Sequence, residues 1–476
     1  MNNAIRKKLI ILLFAVGFTL WLWGINFPYT GTYNANNNYL TLAAKNYIRY
    51  GFSTLKGLPT YYAGQTLPTP IPYYLHHPIL IFPMSTVPFM IFGFYNWVVH
   101  VTNLLFLLGD IFLIYKIGEI VWSKKVGLWA AGLAMTFPMT TFFWKYIFFE
   151  QGSLFFNLCV YYFLLRYLKK PKTLYIGLIF LFTVFSGLID WGVLYIFVPI
   201  MVLAAVLKKR VRFPITAYLL GTGISLGLFV ALVYMMQGGF KELTQAVGVH
   251  AYTPILFKLH LWPIRLILIS IVRLGIYFTP FSLFWLCVKE RTGRLTLIFF
   301  FVFGIMNIFV LPTVTWENSY FLFYFIPFLA FSGALWLVRL EKKPFVVVLT
   351  VISIVIWSTL VNYFKIEQVR KQFWQYDSAA SINKTLTPYE AIGVVNFAGD
   401  IFEQYFFHPT IPMEPTDIAQ WQKGILYPKI SNLVISGTLV TRRSPLPTDV
   451  RYKTSGQNTF VNWYRVIRDI FSVGQL

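Results

Sequence analysis

The chain has 476 residues, of which 57% are hydrophobic, 20% aromatic and only 12% charged, and its mean hydropathy is +0.63. Soluble domains carry about 25% charged residues, so this composition excludes a soluble enzyme, a disordered chain and a coiled coil. Apolar runs of about 20 residues, the length that crosses a bilayer core, recur along most of the sequence. We therefore expect a polytopic membrane protein.

Eleven apolar stretches are predicted to span the membrane. In chain order they cover approximately residues 9–26, 97–118, 126–143, 153–168, 173–189, 192–207, 214–234, 266–288, 295–312, 319–338 and 344–363. The predicted fold is thus an all-α polytopic membrane domain over residues 1–363 with a large first outer loop at 27–96. The tail, 364–476, has spaced charges and short β-type runs such as Ala391–Phe397 and Leu433–Val440, which predict a small α/β domain.

The distribution of charge predicts the orientation of the chain. Of the net charge of +23, +17 lies in six segments that an eleven-span chain places on one side, from Arg6–Lys8 to Arg339–Lys343. By the positive-inside rule this side is cytoplasmic. No basic surface then remains for nucleic acid, which we exclude as a partner. The expected location is the plasma (inner) membrane, with the N-terminus cytoplasmic and the C-terminal domain extracytoplasmic.

The first outer loop begins with an amphipathic pattern. Apolar residues at positions 40, 43, 44, 47 and 48 follow helical spacing, and Lys45 and Arg49 lie one turn apart on the polar face. This pattern predicts a helix in the membrane interface whose two cations bind a lipid phosphate. The alternative is ordinary snorkelling of both side chains toward water.

Two adjacent histidines, His76 and His77, precede Pro78 farther along this loop. Neighbouring residues on a helix point about 100° apart, so the two make a poor metal pair. Contact with phosphate or substrate is the functional interpretation. A structural role in capping the turn is the alternative.

Five segments together carry a resemblance to a known family. They are Ala43–Phe52, Tyr74–Leu80, Phe149-Glu150, Asp190-Trp191 and Trp316–Tyr320. In order and spacing they resemble bacterial integral-membrane glycosyltransferases related to protein O-mannosyltransferases and lipid A aminoarabinose transferases, which have the GT-C fold. The resemblance extends to about residue 340. It implies a glycosyltransferase that moves a sugar from a polyprenyl-phosphate carrier to a lipid, glycan or protein acceptor at the outer membrane face.

The first loop departs from that family at one place. In the resembled enzymes an acidic residue just before the interfacial helix acts as base or orients the substrate. Here the segment Tyr33–Tyr39 contains asparagines, and residues 1–109 contain no carboxylate. Asn36 and Asn37 can still hydrogen-bond a sugar hydroxyl, but an amide cannot accept a proton near neutral pH.

Three acids near the predicted outer boundary are therefore candidate catalytic residues: Glu150, Asp190 and Glu317. Glu150 is the preferred replacement for the missing base, with an ion pair to Lys145 as the alternative. Asp190 and Glu317 each have a helix-capping role as the alternative. Two further acids have other expected roles, since Glu242 is expected to face water and Asp110 to make a polar contact between helices.

The eighth predicted span carries two arginines, Arg265 and Arg273, two turns apart on one face. Arginine binds phosphate oxygens in a bidentate manner, so these residues are further candidates for binding the carrier phosphate. Snorkelling explains Arg265 better than the deeper Arg273.

The sequence contains no P-loop, Rossmann glycine pattern or zinc-ligand spacing. We expect no cofactor besides the lipid-linked sugar that serves as donor, and the need for a divalent metal stays open. Two alternatives to an active transferase remain. One is a catalytically inactive GT-C homologue that binds a lipid-linked sugar, and the other is a transporter or flippase.

Overall fold

A computed structural model describes residues 1–30, 35–75, 77–146, 148–237, 239–240, 244, 261–285, 293–388, 390–395, 410–412, 432–435 and 438–441. Two residues named above, His76 and Glu242, lie outside this part of the chain. The described residues are mostly helical. They divide into two compact units, of which the first comprises Met1–Ile25, Leu75–Met84 and His100–Tyr363, and the second Asn26–Tyr74, Ser85–Val99 and Phe364–Leu476.

The first half of the chain contains helices α1 to α9. These are α1 Asn3–Leu22, α2 Ala35–Tyr50, α3 Ile81–Phe92, α4 His100–Val121, α5 Lys124–Thr136, α6 Pro138–Thr141, α7 Phe149–Lys169, α8 Thr173–Ile189 and α9 Gly192–Tyr195. The second half continues with α10 Phe197–Leu207, α11 Arg212–Gln237, α12 Trp262–Tyr277, α13 Ser282–Trp285, α14 Arg294–Val310, α15 Pro312–Glu317, α16 Ile326–Leu340, α17 Pro344–Arg370 and α18 Phe373–Asn383. Short 3₁₀-helical segments cover Phe143–Lys145, Lys208–Val211 and Ser319–Phe325.

Each of the eleven predicted spans contains at least one of these helices, but not every span is a single long helix. In the described part of the chain, three helical stretches are long and apolar enough to cross a membrane: Arg212–Met236, Ser319–Leu340 and Pro344–Asn383. A fourth is added if Lys124–Thr136 and Pro138–Lys145, bent by 54°, form one broken span. The count of eleven therefore stays a prediction.

The breaks follow from the sequence. Pro138 cannot donate a backbone hydrogen bond and so separates α5 from α6, where it stands at the first helical position that proline favours. Within the first unit, small residues allow helices to approach closely. A Cβ atom at Gly118 of α4 would lie 2.7 Å from the Gly127 Cα atom of α5. Such contacts between small residues replace the hydrophobic drive that is missing between helices in lipid.

One predicted cytoplasmic acid joins several parts of the first unit. Glu341, in the turn between α16 and α17, accepts hydrogen bonds from Lys125 Nζ at 2.6 Å and from Trp129 Nε1 at 3.2 Å. Its carboxylate also lies 3.5 Å from the Arg6 guanidinium. Although burial alone would raise the pKa of Glu341, these partners hold it below its ordinary value. The acid thus fastens α1 and α5 to this turn.

The second unit contains α2 and a small sheet. Strands β1 Ile392–Val395, β2 Thr410–Pro412, β3 Asn432–Ile435 and β4 Thr438–Thr441 pair in the order β2-β1-β3-β4. The pairs of β1 with β2 and β3 are parallel, and β3 and β4 are antiparallel. Residues Ala379 and Ile382 of α18 pack with Ile392, Val394 and Val434 of the sheet. The described tail is therefore a mixed α/β structure.

Candidate functional site

The first unit brings two of the predicted acids together. Glu150 lies in the first turn of α7, and Asp190 directly follows the last residue of α8. Only residues 170–172 join these two packed helices, so the start of α7 lies beside the end of α8. A Cβ atom at Gly152 would accordingly lie 3.1 Å from the Ile189 side chain. The two carboxyl groups are close enough to interact electrostatically.

Asp190 is buried and contacts a tyrosine and a histidine. The Tyr324 hydroxyl donates a hydrogen bond to Asp190 Oδ2 at 3.3 Å, and His77 Nδ1 lies 3.7 Å from Asp190 Oδ1. The side chain does not cap the following helix, because the N-cap residue of α9 is Trp191 and no side-chain hydrogen bond caps that helix. The capping alternative for Asp190 is thus not what the structure shows.

Glu150 does not form the ion pair that was its alternative role. Lys145 Nζ instead donates a hydrogen bond to the Trp23 carbonyl oxygen at 2.6 Å. Within the described residues, the buried Glu150 Oε2 atom has no hydrogen-bond partner. A buried carboxylate oxygen left in this state is costly, and such an exception is typical of a site that receives a ligand.

His77 is held against the start of α7. Its ring stacks on Phe149 with a centroid separation of 4.8 Å and an interplanar angle of 26°, and Phe82 packs edge-on against the same Phe149 ring at 5.6 Å. The Leu80 N–H group donates to the Leu188 carbonyl oxygen at 2.9 Å. This backbone bond fixes the histidine segment to the end of α8, next to Asp190.

A polar network connects the residues on either side of Asp190. The Ser186 hydroxyl donates to Asn157 Oδ1 at 3.0 Å, and Asn157 Nδ2 donates to the Gly192 carbonyl oxygen at 3.2 Å. Position 192 has no room for a side chain. A Cβ atom there would lie 2.0 Å from Ser153 Oγ and 2.7 Å from the Tyr324 hydroxyl oxygen. Glycine at this position therefore allows α9 to approach α7 and the Tyr324 segment.

Sequence reasoning missed the two tyrosines of this site. Tyr324 lies in the 3₁₀-helical segment Ser319–Phe325, and its ring packs against Tyr195 of α9 at 5.7 Å. Both hydroxyl groups interact electrostatically with Asp190 and Glu150. Each tyrosine lies in an apolar run of phenylalanine, leucine and isoleucine. A hydroxyl group in such a run was the signal that could have identified these residues.

The predicted phosphate-binding arginines lie on α12 of the same unit. Arg273 is buried, and its guanidinium donates to the Thr315 and Trp316 carbonyl oxygens at 2.5 and 2.9 Å. These bonds satisfy carbonyl groups at the end of α15, which is a structural task. Arg265 is half-buried near the start of α12. Glu317 is the last residue of α15, and the N-cap of the next helical segment is Asn318.

Another acid of the first unit is Asp110 of α4. It is fully buried, and within the described part of the chain neither of its carboxylate oxygens has a hydrogen-bond partner. The predicted polar contact between helices is therefore not formed as a hydrogen bond. Among the described residues, no three His, Cys, Asp or Glu side chains are grouped so that they could hold a metal ion.

The four other candidates share α2 in the second unit. Asn37 is fully buried and Asn36 half-buried. Lys45 is half-buried, with Nζ 5.6 Å from the centre of the Phe94 ring, and burial lowers its pKa to about 8. Arg49 is exposed and donates to the Gln65 carbonyl oxygen at 3.1 Å. The structure thus groups His77, Glu150 and Asp190 in one unit and the α2 candidates in the other.

By sequence, no protein-family model and no curated protein matches the chain. By structure, the chain is similar to ArnT from Cupriavidus metallidurans bound to undecaprenyl phosphate, with a TM-score of 0.59, 12% identity and 88% of each chain covered. It is also similar to the archaeal oligosaccharyltransferase AglB from Archaeoglobus fulgidus, in complex with an inhibitory peptide and a dolichol-phosphate. That match has a TM-score of 0.53 and 12% identity, and it covers 90% of this chain and 69% of the other.

These two likenesses establish the fold. Both solved structures are membrane glycosyltransferases of the GT-C fold. The resemblance inferred from the sequence is therefore confirmed at the level of fold, and the chain is an integral membrane protein with a GT-C fold. The similarity spans both units and nearly the whole chain.

Proposed function

We propose that the protein is a glycosyltransferase that moves a sugar from a polyprenyl-phosphate carrier to a lipid, glycan or protein acceptor at the outer membrane face. The observation that carries the proposal is the pair of acids, Glu150 and Asp190, at one end of the α7–α8 hairpin within a GT-C fold. Structures that share this fold bind undecaprenyl phosphate or dolichol-phosphate. The proposed location is the plasma (inner) membrane, with the N-terminus cytoplasmic and the first loop and tail outside.

The proposed reaction exchanges one bond to the sugar for another. The acceptor hydroxyl oxygen attacks the anomeric carbon, the bond from that carbon to the phosphate oxygen breaks, and the phosphate leaves with the lipid. The acceptor proton must pass to the site. Glu150 suits this chemistry because its unpartnered Oε2 can accept a hydrogen bond from the incoming hydroxyl. In this proposal Glu150 orients the hydroxyl or takes its proton, with Asp190 beside it.

The leaving phosphate requires positive charge. We assign this role to Lys45 and Arg49, one turn apart on α2, and secondarily to Arg265 and Arg273. Asn36 and Asn37 would meet sugar hydroxyl groups. Half-burial of Lys45 supports its role, since a partly desolvated ammonium group gains more from an incoming anion than an exposed one does.

A second candidate function is a protein that binds the lipid-linked sugar without turning it over. The asparagines of α2 favour it, because the helix carries amides where the resembled enzymes carry an acid. Asn38 in particular uses its Nδ2 atom to donate to the Tyr29 carbonyl oxygen at 3.3 Å. In that case the α2 region would keep its structural and binding tasks only.

The test reconstitutes the full chain in proteoliposomes with undecaprenyl-phosphate mannose or undecaprenyl-phosphate aminoarabinose and a membrane extract as acceptor. Donor consumption and undecaprenyl phosphate release are measured by chromatography. We expect the wild type to consume a donor and Glu150→Gln to do so about 100-fold more slowly, as is typical when a positioned acid or base is removed.

The matched control is Glu119→Gln. Glu119 is a carboxylate of α4 that pairs with Lys116 and lies apart from the acid pair in the chain. It should keep wild-type activity. Donor binding without consumption would support the binding protein instead, and flux of donor across the vesicle without transfer would support a flippase. Equal activity of Glu150→Gln and the wild type would remove Glu150 from the mechanism.

A further inference from the structure

We propose that His77 is the group that removes the acceptor proton and that Asp190 positions it, so that a histidine–aspartate dyad replaces the carboxylate missing from the first loop. This inference rests on the proposed glycosyl transfer and deepens it. It assigns to Glu150 the remaining task of orienting the acceptor hydroxyl. Three features support it: the geometry of the imidazole ring, the contacts that hold the ring, and the chemistry of the pair.

The two ring nitrogens of His77 have different surroundings. Nδ1 is buried and lies 3.7 Å from Asp190 Oδ1, within ion-pair distance. The His77 side chain as a whole is 27% exposed. Because Nδ1 contributes almost nothing to that exposure, the exposed surface belongs to other atoms of the side chain. The imidazole therefore turns its Nδ1 edge to the aspartate.

Every part of the dyad is held in place by a contact of its own. Phe149 stacks on the imidazole and limits rotation of the ring. The Leu80–Leu188 backbone hydrogen bond fixes the segment that carries His77. The Tyr324 hydroxyl bonds the second oxygen of Asp190 and so orients Oδ1 toward the histidine. An imidazole with a fixed orientation behind a reacting hydroxyl is what general base catalysis requires.

The pairing also determines what the histidine can do. In the proposed reaction the Nδ1–Oδ1 separation of 3.7 Å shortens to a hydrogen bond, and in a neutral imidazole an Nδ1–H donor to Asp190 selects the tautomer whose Nε2 carries the lone pair. As the acceptor oxygen bonds to the anomeric carbon and the bond to phosphate breaks, its proton moves to Nε2. Asp190 then stabilises the imidazolium that forms. The proton leaves later to water or to the departing phosphate.

The first loop lacks a carboxylate, and His77 lies in that loop. Residues 1–109 contain no acid, and His76 and His77 are the imidazole side chains of the first loop. His77 is the histidine of that loop segment that the structure describes, and it belongs to the same unit as both acids. The loop thus contributes the proton acceptor, and α8 contributes the charge that makes it effective.

The experiment uses the full chain in proteoliposomes and the donor that the wild type consumes. We expect His77→Ala to lower kcat about 100-fold with little change in KM, and added imidazole to restore about tenfold of the loss. A purely structural role for His77 would give no such rescue. Glu150→Gln serves as the control, since free imidazole cannot replace an orienting carboxylate.

A double variant tests the partnership itself. If Asp190 acts through His77, the variant His77→Ala with Asp190→Asn should be no slower than His77→Ala alone, within about threefold. His77→Gln is a second variant that preserves size and polarity. Binding of undecaprenyl phosphate to each variant shows whether the protein is still folded.

The outcomes separate the two proposals. Full activity of a folded His77→Gln or His77→Ala, with wild-type turnover intact, overturns the dyad and leaves the transferase standing. Loss without rescue by imidazole, together with additive effects of the two substitutions, also overturns it. Absence of donor turnover in the wild type overturns both proposals.

Discussion

Two regions of the molecule carry buried polar side chains that differ in charge and in how they bond to the backbone. At the end of the α7–α8 hairpin, the Glu150 Oε2 atom is buried and has no hydrogen-bond partner among the described residues. Along α2, amide nitrogens donate to the backbone, although the buried Asn46 Oδ1 atom likewise has no hydrogen-bond partner among the described residues. Asn46 Nδ2, for example, donates to the Thr60 and Tyr62 carbonyl oxygens at 2.7 and 2.9 Å.

The contrast separates polar side chains that fasten the backbone from polar side chains that are costly to bury. The α2 amides fasten a helix to the loop that follows it, and they do so at low cost because an uncharged amide loses little when it leaves water for a good partner. The carboxyl groups of the hairpin lose more hydration free energy on burial than amides do, and they make fewer hydrogen bonds to the backbone. Such a cost is typical of residues retained for a reaction, and it supports the proposal that the acids of the first unit take part in the transfer.

The largest expected effect comes from placing an acid in the α2 region. Asn37 is fully buried, so Asn37→Asp places a charge where water cannot reach it and should destabilise the second unit by about 3 kcal/mol. Asn36→Asp is the matched control, since Asn36 is half-buried and an acid there can reach water. Thermal unfolding in detergent measures the difference. A gain of transfer activity in either variant would contradict the contrast between the two regions, because it would show that α2 belongs to the catalytic site.

A smaller effect is expected where the acid site is tightly packed. Gly192→Ala should destabilise the protein by about 2 kcal/mol, because its Cβ atom would displace Ser153 and Tyr324. Gly223→Ala in α11 is the control. A Cβ atom there meets nothing within 4 Å, and alanine favours the helix, so its stability should be unchanged or slightly higher. Equal unfolding temperatures for the two variants would contradict the close packing.

The next effect concerns a single hydroxyl group. Tyr324→Phe removes the donor to Asp190 Oδ2 and should lower donor turnover about tenfold, since a hydrogen bond to a charged group contributes about 1.5–3 kcal/mol. Tyr161→Phe removes a buried hydroxyl that donates to Thr296 Oγ1 at 2.8 Å. It should reduce stability but leave turnover unchanged. Similar losses of turnover in both variants would mean that the Tyr324 hydroxyl affects turnover only by stabilising the fold.

The smallest effect is a pH dependence from the α2 region. Burial lowers the pKa of Lys45 to about 8, so its ammonium group is charged below that pH and neutral above it. Binding of undecaprenyl phosphate should therefore weaken about threefold between about pH 7 and about pH 9. Lys45→Arg stays charged throughout this range and should abolish the dependence. An unchanged pH profile in Lys45→Arg would exclude Lys45 from phosphate binding.

Much of the framework could be predicted from the sequence, because burial in lipid requires long apolar runs and because helices are the only local structure that satisfies their own backbone. Each predicted span contains a helix for this reason. The periodicity of residues 40–48 predicts a helix, and α2 covers these residues. Continuous spans were harder to predict, since Pro138 breaks a stretch that hydropathy alone treats as uniform.

The candidate site divides along similar lines. Glu150 and Asp190 could be singled out because acids are rare and costly beside apolar spans. That Asp190 bonds Tyr324 rather than capping a helix could not be predicted, since the two residues are 134 positions apart in the chain. Likewise, Arg273 has the composition of a phosphate ligand, but the structure shows it bonded to the carbonyl oxygens that end α15.

By itself, the sequence determined that this is a helical membrane chain, how its positive charge is distributed along the chain, and that residues 1–109 contain no acid. Those properties depend on local composition and on the cost of placing polar groups in lipid. Only the tertiary structure decided which rare polar groups meet. His77, Glu150 and Asp190 come together because a short connection folds α8 back along α7 and a backbone hydrogen bond fixes the loop beside it.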